Sequence, residues 1–515
     1  MPSFKAPLYE MLVRHAECNP GSLHVPGHQY GKALDKLPDS VREDFSRMMR
    51  LDVTELSVTD DLHHPEGAIL EAQRLAAQLF GAQETFFLVG GSTVGNLALL
   101  LSHCKRDDIV ITQRNVHKSI INGLALSGAR AVFAAPQIDK DSGLATVPSL
   151  AQLEEALNGY PDAIAVMLCN PNYYGMGVSL KQYVELVHNY NKLLFVDEAH
   201  GAHYGLHPDF PESALAAGAD AVVQSAHKTL PALTMGAMLH IQGERIDRNR
   251  LRGTLAMIQS SSPSYPIMAS LDLARAVCME QGPNLFTEAI EAAAYLRECV
   301  QSKLPWLSLL SLNPESAGLP AGASFLGTSG LGSRESAAFN HTDPLRITLS
   351  DQTGTLSGYD WLKELEGYGW WAEMADARHC VLLIGISCNR RDMDSLVKAL
   401  SAISEQYGLG SREIKGADVR STVHWSWEGL SLSSPVRIPA PADEVPRAEW
   451  VPLQEAEGRI CAEMITPYPP GIPILYPGEC MDHGIIAVLQ SLAGHGAKIQ
   501  GASDPSLIHV KVYPR

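Results

Sequence analysis

Two apolar runs in the sequence end on residues able to do chemistry. Leu194-Phe-Val-Asp-Glu-Ala-His200 carries an acid at its end, and Ala221-Val-Val-Gln-Ser-Ala-His-Lys228 closes on a lysine. A lysine in such a place can form an imine once desolvation and its neighbours lower its pKa. An acid there is costly unless paired, and Asp197 suits the protonated nitrogen of a pyridine ring. Upstream, Val89-Gly-Gly-Ser-Thr-Val-Gly-Asn96 follows a strand pattern and opens a helix. Its glycines let backbone N–H groups approach a phosphate, and Ser92 and Thr93 add hydroxyl donors. Ser225 and His227 are placed to reach the same phosphate. In Arg114-Asn-Val-His-Lys-Ser119, His117 suits stacking on the ring face opposite Ala199.

Each motif alone has an ordinary reading: a turn that serves only geometry, a capping acid or metal ligand, a surface lysine, a structural histidine. Their order along alternating strands and helices fits one cofactor, pyridoxal 5'-phosphate. His200, His203 and His207 also follow Asp197 closely, but their spacing matches no recognised zinc pattern, and no metal is expected.

These residues need a frame that brings strand ends together. Strand patterns occur at Thr85–Val89, Ile109–Thr112, Ala131–Ala134, Ala163–Cys169, Leu193–Val196, Ala221–Ser225 and Met235–Ile241. Helical patterns fall at Val94–Cys104, Ser119–Leu126, Leu150–Leu157 and Leu180–Tyr190. This alternation predicts an α/β fold with a mainly parallel seven-stranded sheet covered by helices on both faces. In such sheets ligands bind beyond the carboxyl ends of the strands.

The N-terminal segment, residues 1–68, reads as irregular and rich in His, Pro and Gly. Residues 69–304 form the cofactor-binding domain, ending in one helical stretch, Leu271–Leu304. A smaller α+β domain over 305–410 and a polar linker over 411–449 come next, where Trp425 and Trp427 point to packing. The C-terminal domain is expected over 450–515.

The 515 residues carry 57 acidic against 40 basic side chains, a net charge of -17. That excludes a protein built to hold nucleic acid through basic phosphate contacts, and it can attract a cationic substrate. The 9 cysteines are scattered without a paired motif, as in a cytoplasmic protein. Neither a signal peptide nor a run long enough to span a bilayer is visible.

With these residues in view, the chain resembles the fold-type-I ornithine/lysine/arginine decarboxylases in their shorter bacterial form. The resemblance spans nearly the whole sequence. It rests on His24-Val-Pro-Gly-His28, Asp60-Asp-Leu-His-His-Pro65, Arg114-Asn-Val-His-Lys118, Val196-Asp-Glu-Ala-His-Gly201, Ser225-Ala-His-Lys228, Ser261-Ser-Pro-Ser-Tyr-Pro-Ile-Met-Ala-Ser-Leu-Asp272 and Pro467-Tyr-Pro-Pro-Gly-Ile-Pro-Ile-Leu-Tyr-Pro-Gly-Glu479.

The resemblance implies Lys228 as the Schiff-base lysine, Asp197 as the ring-nitrogen partner and His117 as the stacking residue. Ser92, Thr93, Ser225 and His227 would surround the phosphate, and Val94, Ala199 and His200 would complete the cofactor site. Val94 stands where relatives often carry another hydroxyl. It further implies a homodimer or larger homo-oligomer with sites at the subunit interface. A hydroxyl from the Ser260-Ser261-Ser262 stretch would then reach the neighbour's phosphate. Glu463 and Glu479 are the candidates for the substrate's distal cation.

The expected reaction is decarboxylation of a basic L-amino acid, arginine ahead of lysine and then ornithine, with Lys228 or His227 returning a proton to Cα. The alternatives are an aminotransferase or aldolase on the same fold, a non-catalytic regulatory relative, or a metal-dependent hydrolase using the three histidines.

Overall fold

All seven apolar runs become strands: β1 (Glu84–Leu88), β2 (Ile109–Gln113), β3 (Arg130–Ala134), β4 (Ala163–Cys169), β5 (Leu193–Asp197), β6 (Ala221–Gln224) and β7 (Ala237–Ile241). β2 and β6 are buried at every position, as near-continuous apolar strands covered on both faces should be. The computed structural model describes residues 4–311, 338–414, 431–440, 447–468, 472–494 and 498–514. Much of the expected linker, with Trp425 and Trp427, and residues 469–471 of the C-terminal motif lie outside the described residues.

The chain divides into two compact units, Met1–His103 with Leu193–Leu285, and Cys104–Lys192 with Phe286–Arg515. In the first unit the strand order is β1-β7-β6-β5. β5 and β6 pair in parallel, whereas β7 runs antiparallel to both β6 and β1. In the second unit the order is β4-β2-β3, and both pairs are parallel. The expected α/β class and mainly parallel sheet hold; β7 runs antiparallel in the first unit, and in the second the short strand Val436–Arg437 pairs antiparallel with β3. The turn at Met235 and Gly236 is tight enough to send the chain back beside β6, with Met235 at a φ of 74°.

The N-terminal segment departs from the irregular reading. It holds helices Pro7–Glu17 and Asp39–Leu51. Pro7 stands in the first turn, where its fixed φ favours helix and its missing N–H costs nothing. The start of this helix is tied inward by Leu8 N–H donating to Asp272 Oδ2 at 2.9 Å. The long stretch Leu271–Leu304 is also two helices, Tyr265–Gln281 and Asn284–Lys303. Gly282, at a φ of 57°, followed by Pro283, breaks the helix between them.

In the second unit, residues of the 305–410 region form an antiparallel sheet in the order Met374–Ala375, His379–Leu383, Arg346–Asp351, Leu307–Leu309. The C-terminal region has its own apolar core, including Leu453, Cys461, Ile474, Leu475, Leu489 and Val510. Among the described residues no helix is long and apolar enough to cross a membrane.

Candidate active site

The first unit gathers most of the residues singled out from the sequence. After β1 the chain turns at Gly91, whose φ of 74° favours glycine, and Gly91 N–H donates to the Met235 carbonyl at 2.8 Å. The helix Gly91–His103 then begins, three residues before the periodicity predicted. It lies close against β6 because Gly95 has no side chain: a Cβ there would stand 2.7 Å from Val223 Cγ1. Ser92 and Val94 are half-buried at the helix start, and Thr93 is exposed.

One turn into this helix, Asn96 is fully buried and its Nδ2 donates to Asp197 Oδ2 at 2.8 Å. Ala199 N–H donates to Asp197 Oδ1 at 3.1 Å. Asp197 therefore leaves the end of β5 with both oxygens hydrogen-bonded, and its carboxylate is fixed in direction. Asn96 closes the phosphate-loop motif, and its role toward Asp197 is not evident from the motif itself. Its signal was an amide carried one turn into an otherwise apolar helix.

β6 runs into Ser225 and the short helix Ala226–Thr229, which carries His227 and Lys228. His227 Nδ1–H donates to the Gly236 carbonyl at 3.0 Å, and its backbone N–H donates to the same oxygen at 3.1 Å. The ring is thus pinned to the turn before β7. Lys228 Nζ lies 2.9 Å from Nε2 of His200, and His200 is buried.

Ser225 Oγ is buried with no hydrogen-bond partner among the described residues. Leaving such a hydroxyl unsatisfied costs roughly 1–3 kcal/mol, and a phosphate oxygen accepting from it would satisfy it. A lysine, a directed carboxylate and an orphaned hydroxyl in one unit fit pyridoxal phosphate. Ser261 and Ser262 are exposed on this unit, and the neighbouring Ser260 carbonyl meets His63 Nε2 at 2.9 Å.

Beside Asp197, Glu198 is fully buried and opens a line of polar side chains across this sheet. Its Oε1 accepts from Ala214 N–H at 2.7 Å and its Oε2 from Gln224 Nε2 at 2.7 Å. Gln224 Oε1 meets His240 Nε2 at 3.1 Å, and His240 Nδ1 meets the Thr85 hydroxyl at 2.8 Å. Burial, with a smaller push from the Asp197 charge, raises the Glu198 pKa to about 8, and burial lowers that of His240 to about 3. Sequence reasoning passed over Glu198; an acid following an acid at the end of an apolar strand was the available sign.

The other histidines after β5 turn to different neighbours. His203 packs edge-on against the rings of Tyr204 and Phe210, and His207 Nδ1 accepts from Asp209 N–H at 3.0 Å. Among the described residues no cluster of His, Cys, Asp or Glu is placed to hold a metal ion.

The second unit holds His117, Glu463 and Glu479. His117 caps the helix Lys118–Ser127, its Nδ1 accepting from Ser119 N–H at 3.2 Å. Both glutamates accept hydrogen bonds within this unit. Arg114, at the end of β2, donates to Glu479 Oε1 at 2.7 Å and to Oε2 at 2.9 Å. Tyr476 N–H also donates to Glu479 Oε2, at 2.6 Å. Burial works against the Arg114 charge, but Glu479 holds its pKa above the ordinary value. Glu463 accepts from the backbone of Ser503 at 2.7 Å and of Lys511 at 2.9 Å. Both acids thus tie together parts of the C-terminal region.

The sequence matches the family described as Orn/Lys/Arg decarboxylase, major domain, over residues 6–358, and the C-terminal domain of the same family over residues 442–503. It is 39% identical over 500 residues to the uncharacterized protein YaaO of Bacillus subtilis, covering 96% of each chain. It is 33% identical over 516 residues to an arginine decarboxylase of the same organism, covering 99% of this chain and 98% of the relative. Among solved structures, the lysine decarboxylase LdcF of Francisella novicida superimposes with a TM-score of 0.77 at 20% identity, covering 99% of this chain and 82% of that one. At that identity the likeness speaks for the fold.

Proposed function

This chain belongs to the Orn/Lys/Arg decarboxylase family, and from that premise we propose that it decarboxylates L-arginine, using pyridoxal phosphate held on Lys228. The reaction class is that of an amino-acid decarboxylase acting on a basic amino acid. Arginine is put ahead of lysine because an arginine decarboxylase matches at 33% identity across 99% of this chain. The observation that carries the proposal is the meeting in one compact unit of Lys228, the Asp197 carboxylate directed by Asn96, and a Ser225 hydroxyl with no partner among the described residues.

When bound, the cofactor supplies the electron sink that lets the Cα–carboxylate bond break. The protein's own residues do the rest. Asp197 holds a proton on the ring nitrogen. The backbone around Gly91, with Ser92, Thr93, Ser225 and His227, binds the phosphate, with Val94 lining the loop. Ala199 would line the cofactor ring, and the family resemblance would give His117 the stacking role. Lys228 would hold the cofactor until substrate binds, and the site would orient the scissile bond. His227, pinned to Gly236, is suited to hold the phosphate more than to deliver a proton.

The protein works as a homodimer or larger homo-oligomer in the cytoplasm. Free thiols at every cysteine and the exposed Ser261 and Ser262, available to a second copy, support this. The test is absorbance of the purified protein together with CO2 release from L-arginine, L-lysine and L-ornithine in parallel. Release from arginine with the matching amine formed is the expected result. A coloured protein that releases no CO2 from any of the three would overturn the decarboxylase assignment.

A further inference from the structure

Lys228 has two histidines for near neighbours along the chain and in space, and they are used differently. His227 directs Nδ1 at the Gly236 carbonyl. His200, three residues beyond Asp197 and buried, places Nε2 2.9 Å from Lys228 Nζ. A lysine ammonium has only donors and an imidazole has one acceptor nitrogen. The contact therefore has a definite sense when the lysine is charged: Nζ donates and His200 Nε2 accepts. The pair lies at the carboxyl ends of two adjacent parallel strands, β5 and β6, so the distance is set by the sheet.

We propose that His200 is the proton partner of Lys228, taking a proton from the ε-ammonium to free the nucleophilic amine and passing it to the departing oxygen as the lysine is attached to the cofactor. This rests on the reading of Lys228 as the cofactor lysine. The step balances. The ammonium transfers one proton to Nε2, leaving a neutral amine and an imidazolium. The amine nitrogen forms a bond to the aldehyde carbon of pyridoxal phosphate, and one of its protons passes to the former aldehyde oxygen. The imidazolium then protonates that oxygen, which leaves as water. The lysine nitrogen ends double-bonded to carbon and protonated, and His200 ends neutral.

An isolated lysine, with a pKa near 10.4, presents roughly one free amine in a thousand near pH 7.5. A base within hydrogen-bond reach of such a proton typically contributes about 10²–10⁴-fold. His200→Ala and His200→Gln are the informative variants, the second keeping an acceptor near Nζ without an imidazole's proton affinity. Full-length protein, stripped of cofactor, is mixed with pyridoxal phosphate between pH 6 and 10, a range spanning about 6.5 for His and 10.4 for Lys. Visible absorbance gives the attachment rate, and borohydride reduction with peptide mass mapping gives the residue modified.

For the wild type the rate should level off above the histidine pKa. For both variants it should be slower by on the order of 100-fold near neutrality and climb about tenfold per pH unit. Added imidazole should restore His200→Ala in proportion to its free-base concentration. Variants whose pH profile keeps the wild-type shape, whatever its height, would overturn the proposal and leave His200 as a residue that only shapes the pocket. Attachment of the wild type at a lysine other than Lys228 would instead overturn the cofactor assignment on which it rests.

Discussion

Replacing Glu479 separates two roles for this acid. Arg114 and Glu479 are 3% exposed each, and they meet through two hydrogen bonds of 2.7 and 2.9 Å. Arg114 also donates to the Ile474 carbonyl at 2.9 Å, and the Tyr476 hydroxyl donates to the Arg114 carbonyl at 2.6 Å. Glu479→Ala takes both carboxylate oxygens away from a buried guanidinium. Breaking a buried pair from one side costs about 3–5 kcal/mol. At roughly 2 °C per kcal/mol for a unit of a few hundred residues, the midpoint should fall by about 6–10 °C. The assay is thermal unfolding by near-ultraviolet circular dichroism, with KM for arginine measured below the transition. Arg114→Met combined with Glu479→Leu should recover most of the loss, because an apolar pair of similar volume escapes the desolvation penalty. If Glu479 instead contacts the substrate cation, Glu479→Ala raises KM and moves the midpoint by no more than about 1 °C. That result would refute the structural role.

Lys228→Ala should abolish borohydride-fixable attachment of the cofactor, read by mass mapping of the reduced protein. Asn96→Ala removes a hydrogen bond to a charged carboxylate, worth about 1.5–3 kcal/mol. Cofactor affinity, measured by absorbance titration, should weaken by roughly 10–100-fold. Glu198 keeps its proton in the folded chain up to about pH 8, against 4.5 for the ordinary group. The folded state therefore binds a proton that the unfolded state has released, and stability falls as pH rises between those values. Glu198→Gln should remove that slope in denaturant unfolding and exceed the wild type in stability above pH 8, while a variant as pH-sensitive as the wild type would show the slope to come from other groups.

The strands were legible because each is a short, continuous apolar run, and their alternation with helical periodicity already implied the parallel pairs. The strand-end residues followed from the same pattern: Asp197 and Lys228 interrupt apolar runs where water-seeking groups need a reason to stand. The N-terminal helices were hidden because Pro, His and Gly around them mask a periodicity that only tertiary packing, such as Leu8 on Asp272, makes worthwhile. The Gly282-Pro283 break was printed in the sequence, but the apolar pattern on either side outweighed it. Arg114 and Glu479 meet across 365 positions. No local spacing reveals a contact of that kind. His200 was marked for the cofactor by its motif, but its approach to Lys228 depends on which strands are neighbours.

The line Glu198–Gln224–His240–Thr85 takes one residue from each strand, or strand end, of the first unit's sheet. Every member can exchange its part as giver or receiver. With Glu198 ionised, the Gln224 amide N–H points toward it, His240 gives its Nε2 proton to the amide oxygen, and Thr85 gives its hydroxyl proton to Nδ1. With Glu198 protonated, its hydroxyl gives to Gln224 once the amide turns over. The amide then gives to Nε2, and the imidazole, in its other tautomer, gives to Thr85. Both arrangements satisfy the whole row with its side chains in the same places. The sheet can thus accept or release a proton beside Asp197 by reversing the polarity of a wire, with no repacking of the apolar layers around it.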